Sequence, residues 1–206
     1  MGKRILLTEF EQPDWRVVRE ANEIQENTQV TPIRSKDGLF LVGKIQAANT
    51  RNGNGRIYPR QTLEREITKY QRLMKESRAL GELDHPEESI ISLSNVSHML
   101  VKAWWSGDDV IGKIKILESV PSGKVLAGLI NDGVKLGISS RGLGSLSERN
   151  GDMVVGDDFD LKCFDMVHEP STPNAFMGLE ESMQSFKGHE VLPKNISLIQ
   201  EFLRSK

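Results

Sequence analysis

Gly137-Ile138-Ser139-Ser140-Arg141-Gly142 sets a serine hydroxyl between glycines and beside a cation. A serine that attacks a carbonyl needs exposure at the end of a strand, close approach of the substrate backbone, and N–H donors aimed at the developing oxyanion. Small flanking residues allow that approach, and the turn they permit supplies donors. Ser140 fits as the hydroxyl, with Arg141 and Gly142 beside it as the donor-bearing stretch. The same letters also fit a polar turn closing the apolar run Val134-Lys135-Leu136-Gly137-Ile138. They do not match the G-x-S-x-G elbow, because the glycines lie three residues before and two after Ser140.

Reading outward, Pro121-Ser122 opens a helix whose apolar face is Val125, Leu126, Leu129 and Ile130, and Gly133 stops it. Val96 to Trp105 and Val110 to Leu117 read as two strands paired through the turn Ser106-Gly107-Asp108-Asp109. Leu39 to Ala47 is a strand buried on at least one face. Asn52-Gly53-Asn54-Gly55 falls in an irregular loop, and Arg60 to Glu76 is an amphipathic helix through Leu63, Ile67, Tyr70 and Met74. Ala79 to Pro86 reads as a polar loop. Downstream, short strands are expected at Met153 to Val155 and Phe159 to Val167, then the turn-forming Glu169-Pro170-Ser171-Thr172-Pro173. Residues 1–37 form an N-terminal arm with one short helix from Arg16 to Gln25, residues 38–178 the compact domain, and residues 179–206 a polar C-terminal tail with a helix from Ile196 to Leu203.

The 206 residues, 37% hydrophobic and 27% charged, suffice for one sizeable core, and a formal charge of -2 excludes a strongly basic nucleic-acid binder. A single cysteine, Cys163, rules out an internal disulfide framework and a Cys-rich zinc site, which suits a reducing, intracellular setting. No stretch approaches the ~20 apolar residues of a membrane span, and Thr8-Glu9 interrupts Met1 to Leu7 before a signal core could form. The expectation is a protein without membrane or nucleic-acid partners.

Strict alternation along Phe159 to Val167 places Phe159, Leu161, Cys163, Asp165 and Val167 on one face. Asp165 is then a carboxylate on a mostly apolar face, so it needs a partner such as an imidazole or an arginine. That partner makes either a structural ion pair or part of a catalytic site. His85, in Gly81-Glu82-Leu83-Asp84-His85-Pro86, has the chemistry to take a proton from a serine and return it to a leaving amine. A histidine in a surface loop is more often a bystander. His98 lies within a strand, His168 beyond Asp165, and His189 in the tail. A metal site from Asp84, His85, His98 and His168 has no standard ligand spacing, so no metal is expected.

Taken in order, Asn52-Gly53-Asn54-Gly55-Arg56-Ile57-Tyr58, Asp84-His85-Pro86, Val96-Ser97-His98, Gly137 to Gly142, Asp165-Met166-Val167 and Pro170-Ser171 resemble the prohead core proteases of T-even-type tailed phages. The resemblance runs from about Leu39 to Gly178. Those enzymes are similar, at a distance, to the herpesvirus assemblins. The resemblance implies an α+β fold, a compact and mostly antiparallel β-barrel flanked by helices. It implies Ser140 as nucleophile, His85 as general base and Asp165 as the third member, with His168 as the alternative. Arg141 and Gly142 fall at the oxyanion loop.

The implied activity is a serine endopeptidase without a cofactor, acting in the host cytoplasm inside the immature prohead. It would cleave scaffold, internal core and major capsid precursor proteins after glutamate, and self-association is compatible with the resemblance. Leu179-Glu180-Glu181-Ser182 fits the implied cleavage context, so the tail is expected to be lost by self-cleavage between Glu181 and Ser182; Ile24-Gln25-Glu26-Asn27 is a weaker site. The rivals are an inactive scaffold or core protein of the same fold and a metal-dependent hydrolase.

Overall fold

The computed structural model describes residues 5–8, 38–86 and 88–179. Its strands are β1 (Ile5–Thr8), β2 (Phe40–Ala47), β3 (Arg56–Ile57), β4 (Leu80–Glu82), β5 (Val96–Ser106), β6 (Asp109–Ile116), β7 (Gly137–Gly144), β8 (Leu146–Arg149), β9 (Asp152–Val155), β10 (Asp160–Val167) and β11 (Met177–Leu179). Two helices accompany them, α1 (Arg60–Lys75) and α2 (Pro121–Asn131). The expected helices at Arg16 to Gln25 and Ile196 to Leu203 lie outside the described residues.

The fold is α+β and mostly antiparallel. The strands form a five-stranded sheet in the order β11-β2-β6-β5-β4 and two three-stranded sheets, β1-β7-β10 and β3-β9-β8. The strands group in these three sheets, and no closed barrel is found among the described residues. The β5–β6 hairpin turns at Gly107, whose φ of 62° a side chain would disfavour. Asn52 Oδ1 accepts from the Asn54 and Arg56 N–H groups at 3.0 and 2.9 Å, which closes the Asn-Gly-Asn-Gly loop as a side-chain turn.

One core joins the layers. Leu63, Ile67, Tyr70 and Met74 of α1 and Leu126 and Ile130 of α2 pack with Leu41, Ile45, Leu100 and Ile114 of the larger sheet and with Ile138, Phe164 and Met166 of the β1-β7-β10 sheet. Burial of Leu63, Ile67 and Met74 contributes roughly 1.5–3 kcal/mol each.

The stretch read as a polar loop contains β4, which pairs with β5 and is the edge of its sheet. Beyond β4, Leu83 bridges Met166 in parallel and the Asp84 N–H donates to the Met166 carbonyl at 2.8 Å. These contacts join β4 to β10, the edge strand of the other sheet. The strict alternation expected for Phe159 to Val167 fails at one place, a bulge between Leu161 and Cys163. The bulge turns Leu161 into the core beside Phe164, so that Cys163, Asp165 and Val167 alone keep the opposite face. Glu66 of α1 holds the bulge by accepting the Leu161 N–H at 3.0 Å.

Candidate active site

Close approach of β4 to β10 begins at Gly81. A Cβ there would collide with the Phe164 carbonyl oxygen and the His98 ring, so only glycine lets the edges meet. Three residues later Asp84 adopts φ 63°, a left-handed conformation that turns the chain back over β10. Pro86 then restricts His85 to extended backbone. His85 Nδ1 comes to rest 2.8 Å from Asp165 Oδ2, with the histidine side chain 4% exposed and the aspartate 0%.

Asp165 is the hub of the site. Its Oδ1 accepts from the Glu82 N–H at 3.0 Å, Arg141 Nη2 at 3.2 Å and the Cys163 thiol at 3.3 Å. Arg141 Nε lies 2.8 Å from Oδ2. Burial alone would raise this carboxyl, but the hydrogen bond from His85 and the Arg141 charge hold it below the usual carboxylate value. An ionised carboxylate only accepts, so His85 Nδ1 carries the proton facing it. That leaves a lone pair on Nε2 in the neutral ring. This nitrogen is buried and has no hydrogen-bond partner among the described residues.

Arg141 is fully buried. Burial works against its charge, but the acidic groups around it prevail and hold the guanidinium above its ordinary value. It forms an ion pair with Glu82 Oε2 and donates through Nη1 to the Glu88 carbonyl at 2.5 Å. Glu82 Oε1 in turn accepts the Ser92 N–H at 3.0 Å. The pair therefore pins the loop that carries His85 from both sides. Glu82 and Asp165 supply two negative charges against one positive, leaving the cluster at about -1.

The register along β7 decides which serine faces this cluster. Ser139 stands opposite Asp165 and Arg141 opposite Cys163, while Ile138 stands opposite Met166 and Ser140 opposite Phe164. Directly opposed residues share a sheet face, so Ser139 lies with His85, Asp165 and Arg141, and Ser140 faces the core. Ser139 Oγ is buried without a partner among the described residues. Ser140 Oγ accepts from Gln46 Nε2 at 2.7 Å, and Gln46 Oε1 is held by Thr172 Oγ1 at 2.8 Å and the Ala47 N–H at 2.9 Å. Instead of the strand-end exposure expected of it, Ser140 is buried in the middle of a strand.

Arg141 and Gly142 also sit inside β7, between β1 and β10. His168 lies past the end of β10, 71% exposed, its nearest anion Glu169 at 3.9 Å. His98 is buried away in β5, its Nε2–H donating to the Phe164 carbonyl at 3.0 Å and its Nδ1 accepting from Ser97 Oγ at 2.9 Å. Burial pushes its pKa down to about 4. Among the described residues no three His, Cys, Asp or Glu side chains group as a metal site. Glu181 and Ser182 lie outside the described residues. Ser139 and Glu82, which sequence reading did not single out, also belong to this cluster. Parity was the available signal for the serine, since Ser140 shares its face with the apolar Ile138.

A family model described as prohead core protein serine protease matches residues 15–186. The prohead core protein protease of Enterobacteria phage T4 is 36% identical over 156 residues, 73% of each chain. The solved structure of the bacteriophage T4 capsid assembly protease, gp21, matches with a TM-score of 0.66 at 28% identity, covering 81% of this chain and 99% of that one.

Proposed function

This chain belongs to the prohead core protein serine protease family, and on that premise we propose that it is a serine endopeptidase that cuts scaffold, core and capsid precursor proteins after glutamate inside an assembling phage head. One observation carries the reading: a His85–Asp165 pair with an open imidazole nitrogen shares a sheet face with a serine hydroxyl that has no partner among the described residues. Buried polar atoms are nearly always satisfied, and two orphans on one face mark a place where a reacting group belongs.

In this mechanism Ser139 Oγ attacks the scissile carbonyl while His85 Nε2 takes its proton, and Asp165 stabilises the imidazolium through Nδ1–H. Backbone N–H on the uncovered edge of β7 beside Ser139 holds the oxyanion, since Arg141 and Gly142 are paired with strands on both sides. The C–N bond then breaks as His85 returns the proton to the leaving amine, and water repeats the sequence to free the acid. No cofactor takes part. Ser140, the hydroxyl expected from the family motif, is the second reading.

Two alanine variants separate the serines. Ser139→Ala should abolish cleavage of a glutamate-containing peptide at an unchanged melting temperature, because it removes no hydrogen bond. Ser140→Ala should retain cleavage but lose about 1–3 kcal/mol of stability, because Gln46 Nε2 is left buried and unpaired. The reverse pattern would make Ser140 the nucleophile. Cleavage surviving in both variants would sink the serine mechanism, and loss of that activity on chelation would favour a metal-dependent hydrolase. We further propose removal of the tail between Glu181 and Ser182. Intact mass of wild type against Ser139→Ala after incubation tests it; full-length mass in both, under conditions where the peptide is cut, removes this site.

A further inference from the structure

Strand β7 has one edge held by β10. Its other edge is covered in two pieces. At its start, Gly137 bridges Phe176 and the Ile138 N–H donates to the Ala175 carbonyl at 2.9 Å. At its end, β1 pairs antiparallel, with Thr8 opposite Arg141 and Ile5 opposite Gly144. Between the two coverings lie Ser139 and Ser140, the two residues of β7 with no registered partner on that edge among the described residues.

We propose that β1 occupies the seat of the substrate: an extended polypeptide pairs antiparallel with Arg141–Gly144, its scissile bond falls at the Ser139–Ser140 gap, and β1 holds the seat until a substrate displaces it. The proposal rests on the peptidase reading above. Any extended chain carries the backbone donors and acceptors that β1 presents, so a substrate strand replaces its ladder bond for bond. Strand β1 is four residues long and lies at a sheet edge, the kind of element that pairs least firmly. Its direction also fits. Thr8 is the end nearest the gap, so the acyl side of a substrate would lie where β1 lies. The residue that follows in sequence is Glu9, the residue type that the proposed specificity puts at the scissile bond.

The test uses the full chain with Leu6→Pro and Leu7→Pro. Successive N–H groups of a strand point to opposite sides, so one of the two prolines removes a donor aimed at β7. That variant should speed amide exchange at Arg141–Gly144 and lower KM for a glutamate-containing peptide, each by about tenfold, with kcat held. A synthetic peptide of residues Lys3 to Thr8 should restore slow exchange and inhibit competitively. Unchanged exchange in both variants would overturn the proposal. So would a KM that does not fall, or a peptide that restores protection without competing. If wild type and variants cut no peptide at all, the peptidase reading fails, and exchange with peptide rebinding still decides whether this edge accepts a strand.

Discussion

Glu82 works through charge. With Asp165 it outweighs Arg141, so the cluster is poised near -1 and becomes neutral when His85 takes a proton. Glu82→Gln keeps the shape and the Ser92 contact but brings the resting cluster to about zero, which disfavours the imidazolium. The expected result is a lower kcat with KM little changed, read from steady-state kinetics of the two proteins. Asp165→Asn should cost far more, about 10⁴-fold in kcat, because an amide favours the wrong tautomer of His85 and cannot balance its charge. The sequence made this pairing partly legible: a carboxylate in an apolar strand had to find a cation or an imidazole, and Asp165 found both. The choice between adjacent serines was harder to read. Which of the two stands on the Asp165 face follows from parity with Ile138, and that parity is set by the register against β10.

At the level of elements, the site is a seam between two sheet edges, and β4 is the stitch. Gly81→Ala forces a Cβ against the Phe164 carbonyl and the His98 ring. Overpacking of this kind costs typically 1–3 kcal/mol, and because the strain falls between β4 and β10, kcat should drop more than KM rises. A thermal melt and steady-state kinetics check both; an unchanged kcat would separate the seam from the chemistry. The helices and long strands were readable because their apolar spacing repeats over many residues, as at Leu63, Ile67, Tyr70 and Met74. Strand β4 was not, since three residues, one of them glycine, carry no periodicity. The bulge at Lys162 escaped for another reason: the glutamate that holds it, Glu66, is 95 residues away.

For the whole molecule, acid should act first through His98. Its folded value of about 4 lies below the ordinary 6.5, so between those values the unfolded chain binds a proton that the folded chain refuses. Stability is therefore full above pH ~6.5 and falls towards pH ~4, by a few kcal/mol in total. Asp165 has a depressed value, so its share persists to lower pH and is lost only below the ordinary carboxylate range. Melting temperatures from pH 7 to 4 should show the first slope, and His98→Gln should flatten it. The same buried seam contains the chain's single thiol. Cys163 is 0% exposed, wedged between Arg141 and Asp165, and burial pushes its thiol far up. A thiol reagent can reach it only when β7, β10 and the histidine loop part. The protein thus carries its own stopwatch: the rate of Cys163 modification by a disulfide dye times each opening of this seam, with no engineered cysteine needed.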